Sequence, residues 1–437
     1  MDIAVFFAIA ALIIILGFLG ELVFKKTNVP DVLWLMIFGI LIGHFFGFYQ
    51  TDLIADIASI FTTFALIFIL FEGGLNLKIH EVFEGMFGGS LLAIVTFIFS
   101  VVSVTVVAVY FGFGLAQGVL LGMILGGTSS AVVVPIVKRL TISKQASSSL
   151  VLESAITDVL CIVAVLATIE IYGIGFANLD TGLLLNSVLS KFLLAFFIGG
   201  VGGYLWLHVL NKMSGHTKSY MITIAFLLLI YSFTEYLKSS GAMACLALGV
   251  ILGNSERLMK LGSNGETQTR TSIREAERFF YSEISFLVKS FFFVYLGLLM
   301  NFSSVEPYLI AGVIVLGLYL MRPISTLVAG KNFTPEDRAV VDSLVPKGLA
   351  PAILAGIPLK AGIPGTESFV SIVLACILIS ILLSTVLVFL AERKKYWGIS
   401  NYLLGRVAKR KALDFKGAPD KEPTTTPYSE KPPKKSK

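Results

Sequence analysis

The chain has 437 residues, 56% of them hydrophobic and 14% charged, with a mean hydropathy of +0.87. A soluble globular domain is about 45–50% apolar and about 25% charged, so this composition excludes one and indicates a polytopic membrane protein. The formal net charge of +6 would suggest nucleic acid in a soluble chain. Here much of the excess lies in the last 45 residues, beside an apolar segment, where anionic lipid is the partner to expect and nucleic acid is not.

Apolar runs of bilayer-crossing length, the longer ones read as tilted, fall near 3–24, 30–49, 53–73, 84–111, 116–138, 146–171, 182–210, 219–237, 240–254, 279–300, 308–330, 336–359 and 367–391. The first run has no basic residue before it, and Lys25 and Lys26 follow it. That order is the reverse of a cleaved signal peptide and places the N-terminus outside. Thirteen crossings then put the C-terminus in the cytoplasm. In this register the outer loops hold only Lys238 and Lys360 of the 34 basic residues, while Lys191, Lys289, Arg322 and Lys347 fall inside spans. All the others gather on the inner side, as the positive-inside rule requires.

Residues 1–395 therefore read as one all-α transmembrane domain of a cell-membrane protein. Past it, residues 396–413 carry Trp397, Tyr402, Leu403 and interleaved basic residues that suit an interfacial helix. Residues 414–437 turn to Lys, Pro, Thr, Ser and Glu, a composition that cannot bury a core and reads as a disordered cytoplasmic tail. Cys161, Cys245 and Cys376 sit in apolar runs with no metal-ligand spacing. His44, His80, His208 and His216 are scattered, and there is no P-loop, dinucleotide fingerprint or HExxH, so no cofactor is expected.

Two spans are interrupted. The fifth breaks at Gly126, Gly127, Thr128, Ser129 and Ser130, and the twelfth at Pro346, Lys347, Gly348 and Pro351. Irregular backbone at bilayer depth is tolerated only where protein buries it or a wet cavity lines it. Seven spans separate the two breaks, so the two helices run in opposite directions. Interrupted helices in matching places of two inverted halves point to a secondary transporter. The repeats would be 3–171 and 219–391, with 182–210 as the linking helix.

The sixth span carries Glu153 and Asp158. A carboxylate at this depth costs on the order of 3 kcal/mol and is expected to face a cavity, a partner charge or an ion path. On an α-helix the two point about 140° apart, with Ser154 sharing a face with Asp158 and Thr157 with Glu153. Two surroundings suggest two jobs: one carboxylate locked in an ion pair, the other free to titrate. Arg322, beside Pro323, needs a fixed anion and is the partner for a locked one. Glu72 closes the third span before Gly73 and Gly74, and reads either as an interfacial residue or as part of the site. Glu21, Asp56, Glu235 and Glu283 with Lys289 read as interfacial or as structural pairs.

If Glu72, Glu153, Asp158, Arg322 and Lys347 share one cavity, their formal charge sums to minus one, which one monovalent cation or one proton would neutralise. Protons compete with a metal ion for a desolvated carboxylate. The hydroxyls of Thr128, Ser129, Ser130 and Ser154, with carbonyls freed at the break, supply the uncharged oxygens an alkali cation prefers.

Taken together, the broken fifth span, Glu153-Ser154 with Asp158 in the sixth, Arg322-Pro323 in the eleventh and Lys347-Gly348 in the twelfth resemble the monovalent cation/proton antiporters, in particular the NhaP-type sodium/proton exchangers. The similarity spans about residues 10 to 391. It implies a homodimer, an elevator-like movement of a six-helix core, a cation site at Asp158 with Ser154, Thr128 and Glu72 as further ligands, and a structural ion pair between Glu153 and Arg322. Two positions depart from the family pattern. Ser129 and Ser130 stand where Asp-Pro is usual, and Thr157 stands where Asn usually precedes the key Asp. The Ser-rich break is similar to the Kef-type potassium/proton branch, which leaves sodium and potassium both open. One titrating carboxylate predicts electroneutral one-for-one exchange, and a gated cation channel or uniporter using the same cavity is the alternative. The buried residues offer no nucleophile with a base, so an enzyme is not expected.

Overall fold

A computed structural model describes residues 3–27, 29–46, 52–77, 87–174, 181–212, 219–256, 258, 275–329 and 333–393. The interfacial helix expected over 396–413 and the tail 414–437 lie outside the described residues. Among the described residues all regular structure is helical and no strand occurs, as suits a chain whose backbone groups must be satisfied within each segment.

In chain order the helices are α1 (Ile3–Thr27), α2 (Asp31–Phe46), α3 (Asp52–Asn76), α4 (Phe87–Tyr110), α5 (Leu115–Ile124), α6 (Ser130–Val137), α7 (Lys144–Ile174) and α8 (Thr181–Lys212). They continue as α9 (Ser219–Tyr236), α10 (Gly241–Gly253), α11 (Glu275–Leu298), α12 (Glu306–Ala329), α13 (Pro335–Ser343), α14 (Leu349–Leu354), α15 (Ile357–Lys360) and α16 (Phe369–Glu392). Each apolar run falls on one helix, except that the fifth divides into α5 and α6 and the twelfth into α13, α14 and α15. Among the described residues six helices are individually long and apolar enough to cross a membrane.

The helices sort into two bundles. In the first, α10 packs on α3, α8 and α9, and α11 packs on α1, α2 and α3. Small residues let these backbones approach closely: a Cβ on Gly249 of α10 would run into the carbonyl of Phe71 on α3. The second bundle takes α4 to α7 from the first half of the chain and α12, α13, α14 and α16 from the second. In it, α4 packs on α5, α7 and α12, and α16 packs on α12, α13 and α14. The seam between bundles is thin, formed by α2 against α16 and by α3 against α7 and α14, besides the consecutive α7 and α8.

Apolar side chains are exposed in rows along the outer helices, among them Ile98, Val102 and Val106 of α4, Leu193, Phe197 and Leu205 of α8, and Leu229 and Phe233 of α9. Such surface suits lipid rather than water. The in-span basic residues find different partners. Lys191 of α8 pairs with Glu170 of α7. Lys289 of α11 lies 3.8 Å from Glu72 of α3 and so does not serve Glu283, as the sequence suggested. Lys289 stands six positions after Glu283, which turns the two side chains about 120° apart on the helix, whereas α3 lies directly against α11.

Candidate functional site

The site lies inside the second bundle, where the two interrupted helices meet. α5 ends at Ile124, the chain runs irregularly through Gly126 and Gly127, and α6 starts after Ser129. Opposite, α13 ends at Ser343 and α14 starts after Gly348. The breaks touch each other: the Ser129 amide donates to the Pro346 carbonyl at 2.8 Å. The Ser129 side chain fills the space over Gly348, where any Cβ would collide with it. Gly348 is therefore required by the close approach of Ser129.

Unwound backbone in an apolar interior needs partners for its amides and carbonyls. α16 supplies hydroxyls for the second break: Ser380 Oγ accepts from the Lys347 amide at 2.9 Å and Ser384 Oγ from the Val345 amide at 3.3 Å. Tyr319 of α12 donates to the Ser343 carbonyl at 3.2 Å and also meets Ser384 at 2.7 Å. At the first break, Thr157 Oγ1 accepts from the Thr128 amide at 3.1 Å. The Lys347 ammonium, fully buried, donates to the Gly127 carbonyl at 2.7 Å. It thus sits just past the C-terminal end of α5, the end of a helix that favours positive charge.

The two carboxylates of α7 part company as their helical angle requires. Glu153, 1% exposed, is held by both terminal nitrogens of Arg322, with Nη2 to Oε2 at 2.8 Å. Arg322 gives two further donors to the Val341 carbonyl at 2.9 Å and the Thr96 hydroxyl at 3.0 Å. Four of the five N–H groups of this guanidinium are thus bonded, the kind of support a charge buried in hydrocarbon needs. Asp158 lies on a different face and is only half-buried. Its Oδ2 accepts from the Ser130 hydroxyl at 2.7 Å, and Ser130 is the first residue of α6, whose N-terminal end favours an anion.

Of the residues singled out in the sequence, the structure thus joins Asp158 to Ser130, Thr128 to Thr157, Glu153 to Arg322, and Lys347 to the first break. Two stand apart. Ser154 is fully buried and donates to the Val151 carbonyl of its own helix at 2.9 Å. Glu72 pairs with Lys289 in the first bundle.

Sequence reasoning missed Thr96, Ser380, Ser384 and Asp342. The two serines stand four residues apart on one face of a mostly apolar helix, a spacing that could have flagged them. Asp342 carried no such signal; it is 1% exposed and within electrostatic reach of Arg322. With Glu72 neutralised by Lys289 and Asp342 counted instead, the acids Glu153, Asp158 and Asp342 face Arg322 and Lys347. The formal charge around the crossing is again minus one, reached by a different set of residues.

An all-helical, apolar chain whose two broken helices cross beside a half-buried carboxylate defines a membrane protein of the crossed-helix type. The chain belongs to the sodium/hydrogen exchanger family, whose transmembrane region matches residues 8–392. Its relatives include the K(+)/H(+) antiporter NhaP2 of Shewanella sp. (strain MR-4), 27% identical over 393 residues, a match covering 86% of this chain and 64% of that protein. The chain therefore spans less than two thirds of that relative's length. The Na(+)/H(+) antiporter 1 of Methanocaldococcus jannaschii is 25% identical over 369 residues, covering 79% of this chain and 81% of that one. Among solved structures, the sodium proton antiporter MjNhaP1 from the same organism aligns with a TM-score of 0.70 at 20% identity, covering 90% of this chain and 98% of that chain. The two share a fold, which is the NhaP-like fold expected from the sequence.

Proposed function

We propose that the protein is a secondary-active antiporter exchanging a monovalent alkali cation, sodium or potassium, for a proton at Asp158. The observation that carries this reading is the separation of the two carboxylates of α7. Glu153 is locked by Arg322, whereas Asp158 is held by Ser130, through its hydroxyl and its amide, and is only half-buried. A carboxylate so placed has room for either a proton or a desolvated cation.

In this reading Asp158, Ser130 and the carbonyls of the first break are the primary ligands, with Thr128, Ser129, Ser154 and Thr157 completing the oxygen set. Thr128 and Ser154 would reach the metal ion by rotating their hydroxyls. Lys347 offsets the end of α5, and the Glu153–Arg322 pair is structural. Glu72 lies on α3, which borders α7 and α14 at the seam, and acts as an acidic residue of the access route. One titrating carboxylate makes the exchange one-for-one and electroneutral. The chain would cross the cell membrane thirteen times as two inverted repeats joined by α8, with the N-terminus outside and the C-terminus in the cytoplasm. It would work as a homodimer whose second bundle moves against the first across the thin seam.

The test is exchange in proteoliposomes. A pH-sensitive dye reports proton movement after sodium or potassium addition, with membrane potential clamped by valinomycin and potassium for the sodium arm. Exchange that ignores voltage and vanishes in Asp158→Asn is the expected result. Passive cation flux without proton counterflow, retained in Asp158→Asn, would replace this reading with a channel or uniporter. A voltage-dependent rate would overturn the one-for-one stoichiometry.

A further inference from the structure

At the end of the molecule that carries Phe24, Arg139 and Arg393, a cleft of about 470 Å³ opens along the seam between bundles. One wall is Val29, from the link between α1 and α2; the others are Ile136 of α6 and Val386, Phe389 and Leu390 of α16. The volume falls in the range of small-molecule sites, about 300–1,000 Å³. The lining is almost wholly aliphatic or aromatic, and water gains too few hydrogen bonds there to be a good occupant.

Basic residues flank the cleft, whose one charged lining residue is Glu392. Arg393, the residue after α16, lies with its guanidinium 4.2 Å from the ring centroid of Phe389, itself a wall of the cleft. Ile136 is followed two and three residues later by the exposed Lys138 and by Arg139. Arg139 donates to the Phe24 carbonyl at the C-terminal end of α1 and stacks 4.3 Å from the Phe24 ring. Glu392 also borders the cleft and repels anions from its side, which directs a negative headgroup toward Arg393.

We propose that this cleft binds one anionic phospholipid from the adjacent leaflet, with an acyl chain between Val29, Ile136 and Phe389 and the phosphate on Arg393. The charge complementarity selects an anionic over a zwitterionic lipid. Because the walls come from both bundles, the bound lipid bridges the seam and favours the arrangement described here over one in which α16 has slid along α2. This inference rests on the membrane reading of the chain and not on its exchange activity.

The full chain, purified and delipidated in detergent, is titrated with phosphatidylglycerol, phosphatidylcholine or inorganic phosphate while melting temperature and lipid adducts by native mass spectrometry are recorded. Phosphatidylglycerol should raise the melting temperature by several degrees and form a one-to-one adduct, phosphatidylcholine should do so at least tenfold more weakly, and phosphate alone should do nothing. Val386→Trp, which fills the cleft, and Arg393→Glu, at an exposed residue that leaves packing intact, should each weaken the phosphatidylglycerol effect about tenfold. Equal effects of both lipids, reproduction by phosphate alone, or full retention of the effect in Arg393→Glu would overturn the proposal. These readouts involve no transport, so the lipid site and the exchange reading fail independently.

Discussion

Arg322→Met makes the strongest energetic demand on the core. The guanidinium serves both oxygens of Glu153, the Val341 carbonyl and the Thr96 hydroxyl, and it is 2% exposed. Its removal leaves a carboxylate at 1% exposure without its counter-charge, which costs roughly 3–5 kcal/mol for a buried pair. Asp342, within electrostatic reach of the same guanidinium, loses support as well. Glu153→Gln is milder, because Arg322 keeps Val341, Thr96 and the field of Asp342. The double variant Glu153→Gln/Arg322→Met removes both charges together and should recover about 2 kcal/mol relative to Arg322→Met alone, a coupling typical of residues in one network. Thermal unfolding of the purified full chain in detergent, followed by tryptophan fluorescence and by the monodisperse fraction, ranks the four proteins. The expected order places Arg322→Met lowest and the double variant above it. A double variant no more stable than Arg322→Met would refute the claim that an uncompensated Glu153 charge is what the arginine prevents.

Other positions separate binding from structure. Ser130→Ala removes a charge-assisted hydrogen bond to Asp158, worth about 1.5 kcal/mol or about tenfold, so the cation KM in the vesicle assay should rise about tenfold while maximal exchange persists; an unchanged KM would remove Ser130 from the ligand set. Gly348→Ala drives a methyl group into Ser129 and should abolish exchange and lower thermal stability, and Ser129→Gly in the same chain should restore part of both, since it vacates the space. Glu72→Gln breaks a half-exposed pair with Lys289, worth under about 1 kcal/mol, so stability by melting should hardly change while cation KM rises a few-fold; complete loss of exchange would make Glu72 a primary ligand. Asp158→Asn should leave folding intact by size-exclusion chromatography and leave no proton-coupled exchange.

Much of this molecule is legible along the chain because its solvent is a bilayer. An apolar interior forces each crossing to satisfy its own backbone, so run length alone marks the helices, and Gly126 to Ser130 and Pro346 to Gly348 stand out as places where that rule is suspended. Helical geometry likewise sets Glu153 and Asp158 on different faces by residue count alone, since five residues turn about 140°. The rarity of buried guanidinium ions makes Arg322 the partner for one of them.

What the chain could not specify are the contacts that depend on which surfaces face each other. Lys289 lies in the same helix as Glu283, yet packing of α3 against α11 gives it Glu72, and the place of Glu72 in the charge balance is taken by Asp342, on a helix of the other half. The hydroxyls that steady the second break, Ser380 and Ser384, belong to α16 and look like ordinary small residues until the crossing brings them beside Val345 and Lys347. The need for glycine at Gly348 is visible only once the crossing sets Ser129 against it. Local sequence determines where a helix runs, where it breaks and which side chains share its face, because those follow from backbone geometry and hydration. The partner of each buried charge is decided by tertiary packing, since it depends on distances between segments far apart in the chain.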